Sequence, residues 1–205
     1  AFMNVFAIES FMDELALAAG ADPVAFRLRH LADARMRAVL RAAAEKADWQ
    51  AGQLGGNGRG RGVALAQYKN RQTRTAVVVD LRAADGDVVL ERVVIAADAG
   101  QIINPDGLSN QLEGGFVQAA SQALYEQVTW DAGGVTSRDW DSYPILRFSH
   151  APVIETVLLN RPNQPHVGGG EAAAGPAPAA IANALFAATG RRERRVPFLG
   201  GMVDG

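Results

Sequence analysis

The sequence predicts an α+β fold, in which a helical N-terminal segment precedes a mixed sheet with a β-hairpin and two further helices. Three observations support this fold class. Apolar residues recur at helical spacing through residues 1–50, two β-branched runs flank an Asp-Gly pair, and two more helical stripes surround a last apolar strand. The chain has 205 residues, 48% of them hydrophobic and 20% charged, a composition that is typical of globular proteins and allows a buried core.

Residues 1–50 are predicted to form a helical segment of three helices. A stripe of apolar side chains defines the first helix: Ile8, Phe11, Met12, Leu15, Ala18 and Ala19. Asp22 and Asp33 are the expected N-caps of the other two, and Pro23 stands at a first helical position. The third helix has its own apolar stripe: Met36, Val39, Leu40, Ala43 and Ala47. The basic residues between the stripes are expected on solvated helix faces: Arg27, Arg29, Arg35, Arg37, Arg41 and Lys46.

A Gly-rich loop is predicted at residues 51–62, because glycine occupies half of these positions. Arg59 and Arg61 lie among the glycines, which makes a phosphate-binding loop the alternative. No Gly-Lys-Ser/Thr sequence and no helix start follow, so a linker is the favoured interpretation.

Residues 63–205 are predicted to form an α+β portion of a larger domain. Four strands are expected, at residues 62–68, 75–81, 88–97 and 153–159. Asp85-Gly86 between the second and third predicts an antiparallel hairpin. A helix follows the turn at Asn104 and Pro105, with this apolar stripe: Leu112, Phe116, Ala119, Ala120, Ala123 and Leu124. A last helix is expected at residues 176–189, ended by Gly190.

The composition excludes several kinds of site and partner. The formal net charge of −2 gives no electrostatic reason to expect a nucleic-acid partner. Because cysteine is absent, the chain cannot form a disulfide, a thiolate zinc site or the cysteine ligands of an iron–sulfur cluster. His30, His150 and His166 lack metal-ligand spacing, so no metal site is predicted.

No apolar stretch approaches the roughly 20 residues of a membrane span, so no span is predicted. The chain begins Ala1-Phe2 without an initiator Met, and we expect it to be a piece of a longer protein. The composition is compatible with a cytoplasmic or a periplasmic location.

Glu171 is the candidate catalytic residue. It follows Gly168, Gly169 and Gly170, which allow backbone conformations that other residues rarely adopt, and it precedes the last predicted helix. A buried carboxylate at this position would be desolvated and therefore a candidate general base or acid. An exposed one would stabilise the helix N-terminus through the helix dipole. The residues alone leave both interpretations open.

Several motifs occur in an order that is similar to a known family. The C-terminal motif is Gly168-Gly169-Gly170-Glu171, followed by Pro176, Pro178 and residues 180–190. Upstream blocks are residues 6–16, residues 20–27, Asp98-Ala99-Gly100 with Asn104-Pro105, residues 111–118 and residues 143–147. Together, over about residues 2–198, they resemble the molybdenum hydroxylases, the xanthine dehydrogenase and aldehyde oxidase family. The likeness is to the C-terminal part of the molybdopterin-binding large subunit of the isoquinoline 1-oxidoreductase and nicotinate dehydrogenase type.

This resemblance implies an oxidoreductase with a molybdopterin-type molybdenum cofactor, which hydroxylates an N-heterocycle or oxidises an aldehyde with oxygen from water. It implies that Glu171 is the general base at the molybdenum centre, and that the cofactor pocket is shared with residues outside this chain. The candidate cofactor-binding residues are Gly168, Gly169, Gly170, Gln111, Glu113, Gly114 and Gly115. The last four are chosen because the start of a helix offers N–H groups to an anionic pterin phosphate. Packing of a Gly-rich helix against a neighbour is the alternative explanation.

The implied partners are the remainder of the large subunit, an iron–sulfur subunit that carries the clusters, and a small-molecule substrate. The piece by itself is expected to be inactive. Ala172 stands where the family commonly has proline and Ala99 where it has cysteine, but neither change removes a group that the base chemistry requires. The alternative function is a non-catalytic scaffold or assembly module of the same fold that binds a partner subunit.

Overall fold

Three helices come first along the chain, and strands with two further helices follow, in the computed structural model, which describes residues 1–84 and 86–199. The α-helices within these residues are α1 (Phe2–Ala18), α2 (Pro23–His30), α3 (Ala34–Lys46), α4 (Pro105–Leu124) and α5 (Ala177–Thr189). The strands are β1 (Gly55–Gly56), β2 (Arg59–Gln67), β3 (Arg74–Ala84), β4 (Asp87–Asp98), β5 (Trp130–Asp131), β6 (Gly134–Val135) and β7 (Val153–Leu158). The predicted α+β class is confirmed.

The main sheet is mixed and has the strand order β1-β2-β3-β4-β7. Neighbouring strands are antiparallel except for β4 and β7, which are parallel and are connected through α4. The predicted hairpin of β3 and β4 is confirmed; Asp85 of its predicted turn lies outside the described residues. β5 and β6 form a separate two-stranded ribbon.

Helices cover both faces of the sheet. Successive strand residues point to opposite faces, so one strand contributes apolar side chains to both layers. Val77 and Val79 of β3 pack with α4 and α5, whereas Ala76 and Val78 pack with α2 and α3. The predicted apolar stripes of α3 and α4 are buried. Asp22 and Asp33 cap α2 and α3 as predicted, each accepting hydrogen bonds from backbone N–H groups of the first turn.

The orientation of α1 differs from the prediction. Its predicted apolar face is largely exposed: Ile8, Phe11 and Leu15 are 59%, 57% and 39% exposed. The buried face instead carries Glu9 and Asp13. The pattern of apolar residues could not predict this orientation of α1, because the buried carboxylates pair with arginines from other elements.

Arg27 of α2 is one of these partners, and the expectation that it lies on a solvated face is wrong. Its side chain is buried and its Nε donates to Glu9 Oε2 at 2.9 Å. Arg192, beyond α5, donates to Asp13 at 2.7 Å. Burying a guanidinium is costly unless it is paired and hydrogen-bonded, and both conditions are met here.

β2 begins at Arg59, so the end of the predicted Gly-rich loop belongs to the sheet. A Cβ on Gly60 would lie 1.9 Å from the Ala184 carbonyl oxygen, and one on Gly62 would lie 2.3 Å from the Ala180 carbonyl oxygen. The glycines therefore allow the backbone of α5 to pack directly on β2.

Candidate functional site

The predicted site residues lie at one end of the main sheet. β2 ends at Gln67, which pairs with Arg74 at the start of β3, and Arg74 pairs with Asp98 at the end of β4. The parallel strand β7 ends beside β4, with Leu158 opposite Ala97. Three connections therefore meet at this end: residues 68–73, 99–104 and 159–176.

Backbone hydrogen bonds continue the pairing of β4 and β7 beyond both strands. The Arg161 N–H donates to the Gly100 carbonyl at 2.9 Å, and the Val167 N–H donates to the Ala99 carbonyl at 3.0 Å. Gly100 has a φ of 75°, and a Cβ there would lie 2.0 Å from the Pro165 carbonyl oxygen, so the position requires glycine. The backbone that leads to Gly168 is thereby fixed against the residues that follow β4.

Asp98 anchors this region with a buried carboxylate. Arg35 of α3 donates to its two oxygens at 2.5 and 2.9 Å, Arg161 donates at 3.3 Å, and the Gly100 N–H donates at 3.0 Å. Burial raises the pKa of Asp98, but the hydrogen bonds from Arg35, Gly100 and Arg161 outweigh it, so the pKa lies below its usual range. The Asp-Ala-Gly motif thus joins α3 to the connection that follows β7.

Residues 168–171, here called the glycine segment, are held by the β2–β3 turn, residues 68–73. The Gly168 N–H donates to Gln72 Oε1 at 2.9 Å. The Thr73 hydroxyl, which is fully buried, donates to the Gly168 carbonyl at 2.8 Å. Both backbone polar groups of Gly168 are therefore satisfied by side chains of the turn.

The glycine segment also lies against α4. A Cβ on Gly169 would lie 2.5 Å from Leu108 Cδ1, and one on Gly170 would lie 3.3 Å from Gln111 Oε1. A Cβ on Gly115 would lie 3.7 Å from the Gly170 carbonyl oxygen. The structure therefore brings Gln111 and Gly115 together with Gly169 and Gly170, although about 55 residues of sequence separate the two groups.

Residues 111–115 do not lie at the start of a helix, so the expectation that they offer free N–H groups is wrong. α4 begins at Pro105 with Asn104 as its N-cap, which places residues 111–115 beyond the first turn. Their N–H groups are bonded within the helix and are not free for an anion. These positions could contact a cofactor only through their side chains or, at the glycines, through backbone that no Cβ covers. Their role as cofactor-binding residues stays a prediction.

Gly114 is exposed, and a Cβ there would have no neighbour within 4 Å among residues 1–84 and 86–199. At 100° per residue, Gln111, Gly114 and Gly115 share one face of α4, whereas Glu113 lies on the opposite side and is half-buried. The structure does not bring Glu113 to the glycine segment.

Glu171 is exposed, and its carboxylate accepts a hydrogen bond from the Tyr68 hydroxyl. This hydrogen bond, with a smaller effect of desolvation, raises the pKa of Tyr68. Glu171 also lies before the first turn of α5, which begins at Ala177 and has no acidic residue in that turn. Glu171 is therefore neither a carboxylate that the described residues bury nor an acidic residue in the first turn of α5.

The sequence does not predict a site role for Tyr68, Gln72 or Thr73. No local motif distinguishes them, and Tyr68 is separated from Glu171 by 103 positions. Only the pairing of β2 with β3, and of β3 with β4, brings this turn to the glycine segment.

One cavity lies away from the predicted site residues. A cavity of about 260 Å³ between α1 and α5 is lined by Asp13, Asn183 and Phe186 among others, and by none of the predicted site residues. Within residues 1–84 and 86–199, no group of three or more His, Asp or Glu side chains could hold a metal ion. No helix in that part of the chain is long and apolar enough to cross a membrane.

The chain is similar to curated proteins over most of its length. It is 43% identical over 215 aligned residues to a subunit of nicotinate dehydrogenase from Pseudomonas putida, which covers 97% of this chain and 18% of that protein. It is 35% identical to the beta subunit of isoquinoline 1-oxidoreductase from Brevundimonas diminuta, over 94% of this chain and 25% of that protein. The chain therefore spans a quarter or less of the length of these relatives.

Solved structures share the fold. Quinoline 2-oxidoreductase from Pseudomonas putida 86 superposes with a TM-score of 0.54 and 28% identity, over 61% of this chain and 17% of that chain. Aldehyde oxidoreductase from Desulfovibrio gigas also gives a TM-score of 0.54, with 26% identity, over 61% of this chain and 14% of that chain.

A family model described as the molybdopterin cofactor-binding domain matches residues 9–152. This range includes α4 and the β2–β3 turn, and Glu171 lies after it. Because the match extends over more than half of the chain, the chain belongs to the molybdopterin cofactor-binding domain family.

Proposed function

We propose that this chain supplies part of the active site of a molybdenum hydroxylase that hydroxylates an N-heterocycle or oxidises an aldehyde with oxygen from water. Glu171 acts as the general base at the molybdenum centre. The observation that carries the proposal is the convergence of the glycine segment with Gln111 and Gly115 at one end of the sheet. The family match over residues 9–152 also supports the proposal, and this range includes Gln111 and Gly115.

The residues at this end fit a large anionic cofactor. Gly114 presents a helix surface without a Cβ and with open space before it, and Gln111 presents an exposed amide on the same face. Backbone can approach a ligand closely at glycine, and an amide can donate hydrogen bonds to phosphate or pterin oxygen atoms. Gln111, Gly114, Gly115 and the glycines at positions 168–170 are the residues of this chain that would hold the group.

The bound molybdenum cofactor supplies the redox centre at which the substrate carbon is oxidised. This chain's contribution to the proton transfer is the Glu171 carboxylate, which takes up a proton at one of its oxygens. Because Glu171 is exposed within this chain, residues outside it exclude water from the carboxylate. We assign that role to the remainder of the large subunit together with the substrate.

We assign the iron–sulfur clusters that would accept the electrons to a partner subunit. This chain has no cysteine and cannot ligate such clusters itself. The nicotinate dehydrogenase and isoquinoline 1-oxidoreductase relatives are, by their names, components of proteins with more than one subunit. The chain as given is therefore proposed to be an inactive piece of the large subunit.

The direct test is Glu171→Gln in the complete enzyme, assayed with N-heterocycles and aldehydes. Loss of a general base is expected to lower kcat by at least about 100-fold, while molybdenum and pterin content stay at the wild-type level. Glu126→Gln is the matched control, because Glu126 also accepts a tyrosine hydroxyl but follows the far end of α4. Turnover retained in Glu171→Gln would refute the general-base assignment.

The exposure of Glu171 is the one observation that favours the alternative, a non-catalytic scaffold that binds a partner subunit. On that alternative, Glu171→Gln changes no catalytic property and the intact complex contains no molybdenum. The two proposals therefore differ in metal content as well as in turnover.

A further inference from the structure

The β2–β3 turn contacts the glycine segment at three points, two on the backbone and one on the catalytic candidate. Gln72 and Thr73 bind the N–H and the carbonyl of Gly168, and the Tyr68 hydroxyl donates to the Glu171 carboxylate. Backbone and side chain of the segment are thus oriented by the same short stretch of chain.

The turn itself is closed by its own hydrogen bonds. The Tyr68 N–H donates to the Thr73 carbonyl at 3.0 Å, and the Gln72 N–H donates to the Tyr68 carbonyl at 2.9 Å. Gln67 Nε2 donates to the Gln72 carbonyl at 3.3 Å. A turn closed in this way presents Tyr68 and Gln72 at fixed positions.

Two residues of the turn adopt backbone conformations that side chains other than glycine rarely take. Lys69 has a φ of 48° and Asn70 a φ of 57°. Left-handed conformations are unfavourable for residues such as lysine, and they are concentrated at functional sites. Here they reverse the chain directly after Tyr68.

We propose that Tyr68 is a positioning residue for Glu171, whose carboxylate it holds by a hydrogen bond while Gln72 and Thr73 fix the backbone of the glycine segment. The inference rests on the proposed role of Glu171 as general base. Tyr68 itself transfers no proton to substrate.

The chemistry of the pair supports this role. A hydrogen bond donated to a carboxylate favours its charged form, which is the form that can accept a proton. The charged groups that act on the Tyr68 hydroxyl are Glu171 and Lys69, whose Nζ lies 5.2 Å from the centre of the Tyr68 ring. Glu171 has the larger effect, and the pKa of Tyr68 is raised.

The test is Tyr68→Phe in the complete, cofactor-loaded enzyme. We expect kcat to fall roughly tenfold with a smaller change in KM, because the hydrogen bond that orients the Glu171 carboxylate is lost. Molybdenum content is expected to stay unchanged. Tyr143→Phe is the matched control: it removes a hydroxyl that donates to Glu126 at 2.8 Å outside the site, and it should leave kcat and KM unchanged.

A second readout is independent of turnover. With 3-fluorotyrosine at position 68 of the complete enzyme, the fluorine resonance reports the titration of this hydroxyl. We expect its midpoint to fall when Glu171→Gln is introduced, because the charge that opposes phenolate formation is removed. An unchanged midpoint would show that the two side chains are not in contact and would overturn the proposal.

The possible failures can be told apart. If Glu171→Gln abolishes turnover but Tyr68→Phe has the wild-type kcat and KM, the positioning role is refuted and the general base stands. If Tyr68→Phe loses molybdenum, its hydroxyl serves cofactor binding and the positioning role is again refuted. If Glu171→Gln retains turnover, the proposed function fails, whatever the fluorine titration shows.

Discussion

Asp98 shows how a single residue ties distant parts of the sequence to the candidate site. Its carboxylate is fully buried at the end of β4, where it binds Arg35 of α3 and Arg161 of the connection that leads to Gly168. The favourable interaction with these two guanidinium groups exists only when Asp98 is charged. Folding and protonation of this group are therefore linked.

Asp98→Asn should destabilise the protein by about 2 kcal/mol at neutral pH, because it leaves two guanidinium groups without a counter-charge. The pKa of Asp98 is lowered in the folded state, so its contribution is complete above the unfolded-state pKa of about 3.9 and is lost as the pH falls through the lower folded-state pKa. The difference between wild type and variant should therefore shrink below about pH 4.

Denaturant unfolding across this pH range measures the difference. Asp131→Asn, at an exposed position, is the control and should have little effect at any pH. An Asp98→Asn deficit that stays constant on acidification would show that the carboxylate is not held as an ion pair.

At the scale of single residues, the contact of Tyr68 with Glu171 could not be predicted from the sequence. Glu171 and the three glycines before it form a local motif, and the sequence therefore identifies them. The partner of Glu171 comes from a turn 103 positions away and carries no motif of its own. Only strand pairing reveals that contact.

At the scale of elements, the helices differ in whether the side chains that they bury are apolar or charged. The apolar stripes of α3 and α4 predict their buried faces correctly, because these side chains lie in clusters with apolar side chains of the sheet. α1 buries Glu9 and Asp13 against Arg27 and Arg192, so its hydrophobic stripe points away from the described core. Hydrophobic periodicity predicts a helix in both cases, but it predicts the face only where the partner surface is apolar.

Glycines have opposite roles in β2 and in α4. Gly62 is sterically required, because a Cβ would lie 2.3 Å from the Ala180 carbonyl oxygen and also 2.3 Å from the Ala184 nitrogen. No neighbour within the described part of the chain requires glycine at position 114, and an alanine there would favour the helix by up to about 1 kcal/mol.

Gly62→Ala should therefore destabilise the protein by about 3 kcal/mol or more, whereas Gly114→Ala should leave stability unchanged or slightly raised. If the cofactor approaches α4 at Gly114, the same Gly114→Ala variant should also lose molybdenum and pterin. Thermal unfolding and metal analysis of the complete enzyme separate the two effects. A Gly114→Ala enzyme with full cofactor content would remove this position from the cofactor site.

At the scale of the whole molecule, the mixed topology determines where the site can form. β2, β4 and β7 all end, and β3 begins, at the same end of the sheet, so their connections converge there. The parallel pairing of β7 with β4, through α4, brings the glycine segment back beside the Asp-Ala-Gly motif. Local patterns predict the strands but not this order, which depends on tertiary packing.

The central claim is that this chain forms part of a molybdenum hydroxylase active site. The most direct test is the molybdenum and pterin content of the native complex, isolated through this chain from cells that produce it. We predict molybdenum equimolar with the chain, together with iron on a cysteine-containing partner. An intact complex without molybdenum would contradict the claim and would leave the fold as a scaffold only.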